Sequence, residues 1–440
     1  MTRLTTNERA IVVTALRHAV PYLRVYKRKV FVLKAGGDAF VSAETTRALM
    51  EQIGILHQVG IRVVLVHGGG PQLTTLSKRL GLETRMVEGR RVTDAQTLEV
   101  STMVLNGEIN TRIVAMCRAL GVPAIGVSGV DSGLIKASKR PPVKLPSGEI
   151  VDYGYVGDIQ GIDSSIILKQ LENDLVPIVS PLSSDDHGVL LNINADTVAA
   201  AIATELKAEK FILATGAPGI LESLDDPRSL ISYVDRQGLR RMRDEGKISG
   251  GMLPKVAAIE RALAGGVPRV HVISYSQPDS LLLEVFTNEG TGTLVVNDTE
   301  RLRPEEQTKI RDWFAELERP VELLVGLGPE ETPRAGSGDV DFAAEMVRVC
   351  EGLADLGEGV TCRVEEEPED FPRFPAVSIR PGGRDAGVRY DGLPWGYELG
   401  SLVGAIVEAG REESTLRPDS LAALEQIDRD LALDVFVTPT

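Results

Sequence analysis

Residues 30–70 read VFVLKAGGDAFVSAETTRALMEQIGILHQVGIRVVLVHGGG. An apolar run passes through Lys34 into a Gly36–Gly37 turn, and a second run ends in Gly68–Gly69–Gly70. Between them the spacing predicts a helix over Ala43–Gln58, and another is expected to start near Gln72. Short strands that are apolar throughout and alternate with helices belong to a parallel sheet covered on both faces.

The pattern repeats downstream. Strands are expected at AIGVSG (124–129), PIVSPL (177–182), KFILATG (210–216) and RVHVISY (269–275). Helices are expected at VAAAIATEL (198–206) and VAAIERALAGG (256–266). The fold class is α/β, with a doubly wound, mostly parallel sheet sandwiched by helices. A hairpin-rich patch at Pro142–Asp158, with PSGE as its turn, interrupts the alternation. Upstream, Ile11, Ala15, Ala19 and Leu23 recur at near-helical spacing, so residues 1–28 read as an N-terminal helix. Asn7 is its candidate N-cap, and Pro21 should kink or end it.

The first α/β domain is expected to span 29–298, followed by a charged linker helix at 299–319. A second unit, 320–411, reads β-α-β-β-β-α with a proline before its third strand. Another linker helix and a last strand, LDVFVTPT (433–440), complete 412–440.

Composition narrows the function classes. The 440 residues carry a formal net charge of −15, which argues against nucleic acid or an anionic membrane as partner. No apolar run approaches the roughly 20 residues of a membrane span, and MTRLTTNERAIVV carries no signal-peptide pattern. Cys117, Cys350 and Cys362 form no CxxC pair and are odd in number, so they read as free thiols of a cytoplasmic protein, with no metal site.

In an open α/β sheet, ligands bind beyond the carboxyl ends of the strands. Glycines there let backbone N–H groups approach phosphate oxygens. Three such turns, Gly36–Gly37, Gly68–Gly69–Gly70 and Gly250–Gly251, were located, two of them with a lysine nearby, Lys34 and Lys255. Lys34 ends an apolar strand, where a charge is costly unless it snorkels or is paired. Asp196, in NINAD (192–196), is either an N-cap or an organiser of the two lysines. There is no GxxxxGK[ST] and no GxGxxG, and His67 with its glycines has no GxSxG partner motif. A phosphate site of non-Walker type remains.

These residues resemble the amino-acid kinase family, and within it the acetylglutamate kinases. The matching stretches are VLKAGG, VLVHGGGPQ, GRRVTDAQTLEV, MVLNGEIN, VSGVD, YGYVGDI, NINADTVAAAIA, APGIL, ISGGMLPKV, VHVIS and LLLEVFTNEGTGT, in family order over residues 6–298. The resemblance implies that Lys34 and Lys255 hold the transferring phosphoryl group and that Asp196 organises them. It assigns Gly36, Gly37, Gly68, Thr215, Gly219, Gly250 and Gly251 to ATP and its phosphates. It assigns Gly69, Gly70, Arg91, Asn192 and Asn194 to the substrate N-acetyl-L-glutamate, with magnesium bound alongside ATP. A homo-oligomer, dimer or hexamer, is implied, together with an arginine effector site at Tyr22, His271, Glu289 and Gly292. Alternatives are a kinase acting on carrier-bound aminoadipate or glutamate, and a non-catalytic amino-acid sensor. Two departures from the family pattern bear on the nucleotide: TGAPG (215–219) has Gly216 where the family has aspartate, and KAGGD has Asp38 for asparagine.

The second unit resembles the first thioredoxin-like half of tandem protein disulfide oxidoreductases, through GVRYDGLPWGYELGSLVGAIVEAG (387–410) and LDVFVTPT. Where that family carries CPxC, this sequence reads GLGPEETP (326–333), so a scaffold role is implied rather than redox activity. The terminal TPT stands where a following CPYC would begin.

Overall fold

The computed structural model describes the chain outside residues 1–18, 21, 88–89, 146–147, 224–225, 227–228, 249, 288–289, 298–303, 330–341, 393, 395–396, 412–413, 415, 417, 425 and 428–440. Most of the N-terminal helix and the last strand expected from the sequence lie outside the described residues. Residues 19–20 and 22–26 are helical. Two compact units emerge, Met1–Thr299 and Glu300–Thr440.

The first unit is built on an eight-stranded sheet. Its strands are β1 (Val30–Ala35), β2 (Arg62–His67), β3 (Ala124–Ser128), β4 (Val176–Ser180), β5 (Lys210–Thr215), β6 (Tyr233–Asp235), β7 (Arg269–Ser274) and β8 (Thr293–Val296). They lie in the order β6-β8-β7-β5-β1-β2-β4-β3. All neighbours run parallel except β7 and β8. β1 is central, so its side chains alternate between two buried layers.

Four helices place the chemistry: α1 (Ala43–Gln58), α2 (Gly70–Arg79), α3 (Ala195–Glu205) and α4 (Leu253–Ala264). α1 has the bounds expected from the sequence, because the Ser42 hydroxyl accepts from Thr45 N–H and caps it. α2 starts at Gly70, ahead of Gln72, since Gly69 is its N-cap and Pro71 suits the first turn. α3 packs against β1, and Val198, Ala199 and Ile202 share one core with Val32.

Between α2 and β3 the chain takes a form that the sequence pattern does not announce. Met103–Asn110 is a π-helix, set between helical turns on either side. A π segment widens the helix and turns its side chains out of the ordinary register. The expected hairpin patch is present as Val143–Lys144 paired antiparallel with Ile150–Val151. Further on, Ile135–Lys139 pairs antiparallel with Gly157–Ile162.

The second unit holds a four-stranded sheet. Its elements are α5 (Pro304–Ala315), β9 (Val321–Gly326), α6 (Phe342–Ala354), β10 (Val360–Glu365), β11 (Ala376–Pro381), β12 (Arg389–Asp391) and α7 (Tyr397–Ala409). The strand order is β10-β9-β11-β12, with β9 parallel to β10 and antiparallel to β11. The charged helix read as a linker packs here instead: Ile310 and Phe314 of α5 join the core of Leu323, Met346, Leu402 and Ile406. Cys350 of α6 neighbours Cys362 of β10, and their interaction raises the Cys350 thiol pKa and lowers that of Cys362. Among the described residues, no helix is long and apolar enough to cross a membrane.

Gly126 of β3 lies directly under Asn110, whose Oδ1 would sit 2.1 Å from a Cβ placed there. Gly126→Ala should therefore displace the π-helix end and cost about 1–3 kcal/mol, the usual range for overpacking. Chemical denaturation measures the loss, and unchanged stability would contradict this packing.

Candidate active site

Lys34 is the penultimate residue of β1, between Val66 of β2 and Leu213 of β5. With Val32 it faces α3, since alternate residues share a face. Its Nζ lies 2.7 Å from Asp196 Oδ1, and both side chains are only 7% exposed. Of the two readings open to Asp196, the cap fails. Asn194 is the N-cap of α3, its Oδ1 accepting from Asp196 N–H (2.9 Å) and Thr197 N–H (3.1 Å). That frees the Asp196 carboxylate for Lys34.

Lys255 stands in the first turn of α4, where its Nζ donates to Gly251 O at 3.1 Å. Burial depresses its pKa; Asp196 and Asp38 pull it back up, and Lys34 pushes it down. Asp196 thus acts on both lysines.

Two glycine loops close around this pair. A Cβ on Gly37 would fall 2.8 Å from Gly69 Cα and 2.9 Å from Pro71 Cδ. A Cβ on Gly69 would meet Leu105 and Ile109 of the π-helix at 2.7 Å. Gln72 Nε2 donates to Gly37 O at 2.8 Å and ties the loops together. Only glycine permits that approach.

A cleft of about 350 Å³ results. It brings together Lys34, Gly36, Gly37, Gly68, Gly69, Gly70, Arg91, Asn192, Asn194, Asp196, Thr215 and Lys255. Arg91 is held by Thr74 Oγ1 (2.8 Å) and Thr84 Oγ1 (3.0 Å). Gly219, Gly250 and Gly251 are absent from its lining. Gly219 is a packing glycine, with Thr293 Oγ1 and Leu230 Cδ1 each 2.6 Å from a Cβ there. Gly250–Gly251 precedes α4 after a helix and a loop, so it does not end a strand. Gly68 lines the cleft, but its N–H donates to Ala35 O at 2.8 Å and is not offered to a ligand.

Asp38 and Gly216, the two departures noted in the sequence, also line the cleft. A Cβ at Gly216 would lie 3.3 Å from the Tyr275 hydroxyl, so that hydroxyl borders the space a larger residue would take. Arg90, Arg140 and Tyr275 are lining residues that sequence reasoning missed. Arg140 is paired with Asp158, with contacts of 3.0 and 2.5 Å to Oδ1. It stands in KASKRPP, which carries no motif, whereas YGYVGDI held its partner.

Residues 29–274 match the amino acid kinase family. The chain belongs to that family. It is 48% identical over 290 residues to the acetylglutamate kinase of Myxococcus xanthus, spanning 65% of this chain and 94% of that one. It is 43% identical over 286 residues to the acetylglutamate kinase of Archaeoglobus fulgidus, 64% and 98% of the respective chains. Among solved structures, N-acetylglutamate synthase from Neisseria gonorrhoeae complexed with coenzyme A and L-arginine superposes with a TM-score of 0.58 at 25% identity. That match covers 70% of this chain and 71% of the synthase. Protein smu.665 from Streptococcus mutans gives 0.51 at 27% identity, over 61% and 99%.

Of the residues expected at an arginine site, Tyr22, His271 and Gly292 are absent from the lining of this cleft. Lys210 Nζ donates to His271 Nε2 at 2.9 Å, and His271 Nδ1 donates to Glu284 Oε1 at 2.6 Å. Glu284 Oε2 accepts from the N–H groups of Thr291 (2.7 Å) and Gly292 (3.2 Å). His271 and Gly292 are therefore already committed. Tyr22 meets Phe286 edge-on at 6.5 Å, and Glu289 lies outside the described residues. Burial, with Lys210 adding to it, lowers the His271 pKa to about 4. Burial lowers Lys210 to about 7, and its ammonium lies over the Tyr26 ring at 5.3 Å. Burial alone would raise Glu284, but the His271 hydrogen bond holds it at about 2.

His271 has a folded pKa below its unfolded value near 6.5. As pH falls from about 6.5 to 4, the unfolded chain binds a proton that the native state refuses, so native stability drops. His271→Asn should lower the melting temperature at pH 7 and flatten its decline across that window. An equally steep decline in the variant would contradict the buried neutral imidazole.

Proposed function

We propose that this chain is an acetylglutamate kinase, moving the γ-phosphoryl group of ATP onto the side-chain carboxylate of N-acetyl-L-glutamate in arginine biosynthesis. The observation that carries the reading is the buried Lys34–Asp196 pair, 2.7 Å apart, lining one cleft with Lys255 and two glycine loops. The 48% identity to the Myxococcus xanthus enzyme supplies the substrate.

The chemistry follows from charge. Attacking carboxylate, phosphoryl group and leaving diphosphate are all anionic. Catalysis then rests on positioning and neutralisation, with little covalent help from the protein. Lys34 and Lys255, both lining the cleft, neutralise the transferring group, and Asp196 keeps both ammonium groups in place. The N–H groups of Gly37, Gly69 and Gly70 supply further donors. Arg91 grips a substrate carboxylate through its planar fork. Asn194 presents its amide nitrogen, since its oxygen caps α3. The acceptor is already ionised at neutral pH, so no general base is required.

Magnesium enters with the nucleotide in this reading. Among the described residues no group of three or more His, Cys, Asp or Glu could hold a metal by itself. Asp38, a cleft carboxylate outside the Lys34–Asp196 pair, is the residue that fits a nucleotide-borne cation. When bound, the cation neutralises phosphate charge.

An arginine effector is the second reading. The synthase that binds L-arginine supports it, as does the Tyr22–Phe286 contact, which ties helical residues 22–26 to the helix Ser280–Phe286. For the second unit, the β-α-β-β-β-α order and mixed sheet support a thioredoxin-like scaffold without the CPxC motif.

The test is hydroxamate formation from ATP, magnesium, N-acetyl-L-glutamate and hydroxylamine, which traps an acyl phosphate. Product should depend on acetylglutamate, and Lys255→Ala should lower the rate by about 10²–10³ while the protein still folds. ATP turnover without acetylglutamate-dependent hydroxamate would contradict the substrate assignment.

A further inference from the structure

The motif MVLNGEIN ends in Asn110, which lies away from the cleft lining and yet reaches the second glycine loop. Asn110 Nδ2 donates to Ile178 O at 2.8 Å and meets His67 Nε2 at 3.2 Å. His67 Nδ1 lies 3.2 Å from Gly68 O. The hydrogens can be arranged in one consistent way. A carbonyl oxygen only accepts, so Nδ1 carries the ring proton. Asn110 then donates its second N–H to the bare Nε2. The imidazole is neutral, fully buried, and fixed in one tautomer. Burial, partly offset by the bond to Gly68, takes its pKa down to about 4.

This bond sets the orientation of a peptide plane. In a trans peptide the C=O of one residue and the N–H of the next point in opposite directions. His67 draws the Gly68 carbonyl inward, toward the protein. The Gly69 N–H must then point outward, on the side of the cleft that Gly69 lines. Gly68 is pinned at its other end as well, its N–H donating to Ala35 O at 2.8 Å. Neither half of the loop can rotate without breaking one of these bonds.

We propose that His67, locked by Asn110, is a positioning residue that aims the Gly69 N–H into the cleft, where it meets the anionic transferring group or substrate. The π-helix has a stated purpose in this arrangement. Its last residue carries the amide that selects the imidazole tautomer. Its Leu105 and Ile109 side chains fill the space where a Gly69 side chain would stand. His67 touches no substrate and exchanges no proton; it acts through the backbone.

The inference rests on the phosphoryl-transfer reading, and the two fail separately. The first arm reads the wild-type protein and uses a variant only to assign its signal. Nitrogen-15 NMR of the imidazoles, with His67 assigned by its loss in His67→Asn, should show a proton on Nδ1 and none on Nε2 at pH 7. A proton on Nε2 would overturn the proposal even in a fully active enzyme. The second arm compares side chains. Asparagine places an N–H donor at the position of Nδ1, so His67→Asn should keep kcat within about tenfold of wild type, whereas His67→Leu should lose about 10²-fold, the usual effect of one lost oxyanion donor. Both should unfold at similar temperatures. Equal activity of the leucine variant and wild type would overturn the proposal, as would equal losses in both variants. A wild-type enzyme with no turnover would instead overturn the kinase reading, leaving the NMR arm to decide the geometry.

Discussion

A buried ammonium 2.7 Å from a buried carboxylate is the constraint on which the active end of the molecule depends. Removing either partner would leave a charge stranded where water cannot reach it, at a cost of about 3–5 kcal/mol. The pair therefore demands that β1 end and α3 begin at the same height. The sheet register and the Asn194 cap deliver that alignment. Such a pair adds little net stability over well-packed apolar residues. Its presence makes sense when the ammonium must face an anion at the strand end. Lys255 extends the arrangement, with Asp196 acting on both cations.

The fold was largely legible in the sequence, because apolar strands and the helices between them follow different periods. α1 came out with its bounds intact, as its apolar face and the Ser42 cap agree. The π-helix was not legible. Eight residues of wider period look like ordinary helix in a sequence of mixed apolar and polar residues. The role of α5 was hidden for another reason. Its charged residues suggested a linker, while Ile310 and Phe314 carry it into the second core.

For the cleft, residue types at motif positions nominated Lys34, Asp196, Lys255 and Arg91, and the fold brings all four to one cleft. Backbone bookkeeping was beyond reach. Nothing in GGG says that Gly68 gives its N–H to Ala35, or that Gly219 is a packing residue. The Lys210–His271–Glu284 chain shows the converse hazard. All three groups are buried with shifted pKa values, yet each donor has an acceptor. A perturbed pKa does not by itself mark a functional site, because structural ion-pair networks shift pKa values too. Lys255 lines the cleft, whereas Lys210, His271 and Glu284 do not.

The central claim is that Asp196 organises two lysines around the transferring group. Asp196→Asn tests it most directly, since the substitution keeps the shape and removes the charge. The account predicts a fall in kcat of about 10²-fold or more, with ATP binding, measured by calorimetry, changed only severalfold. An undiminished kcat in a folded Asp196→Asn enzyme would contradict it.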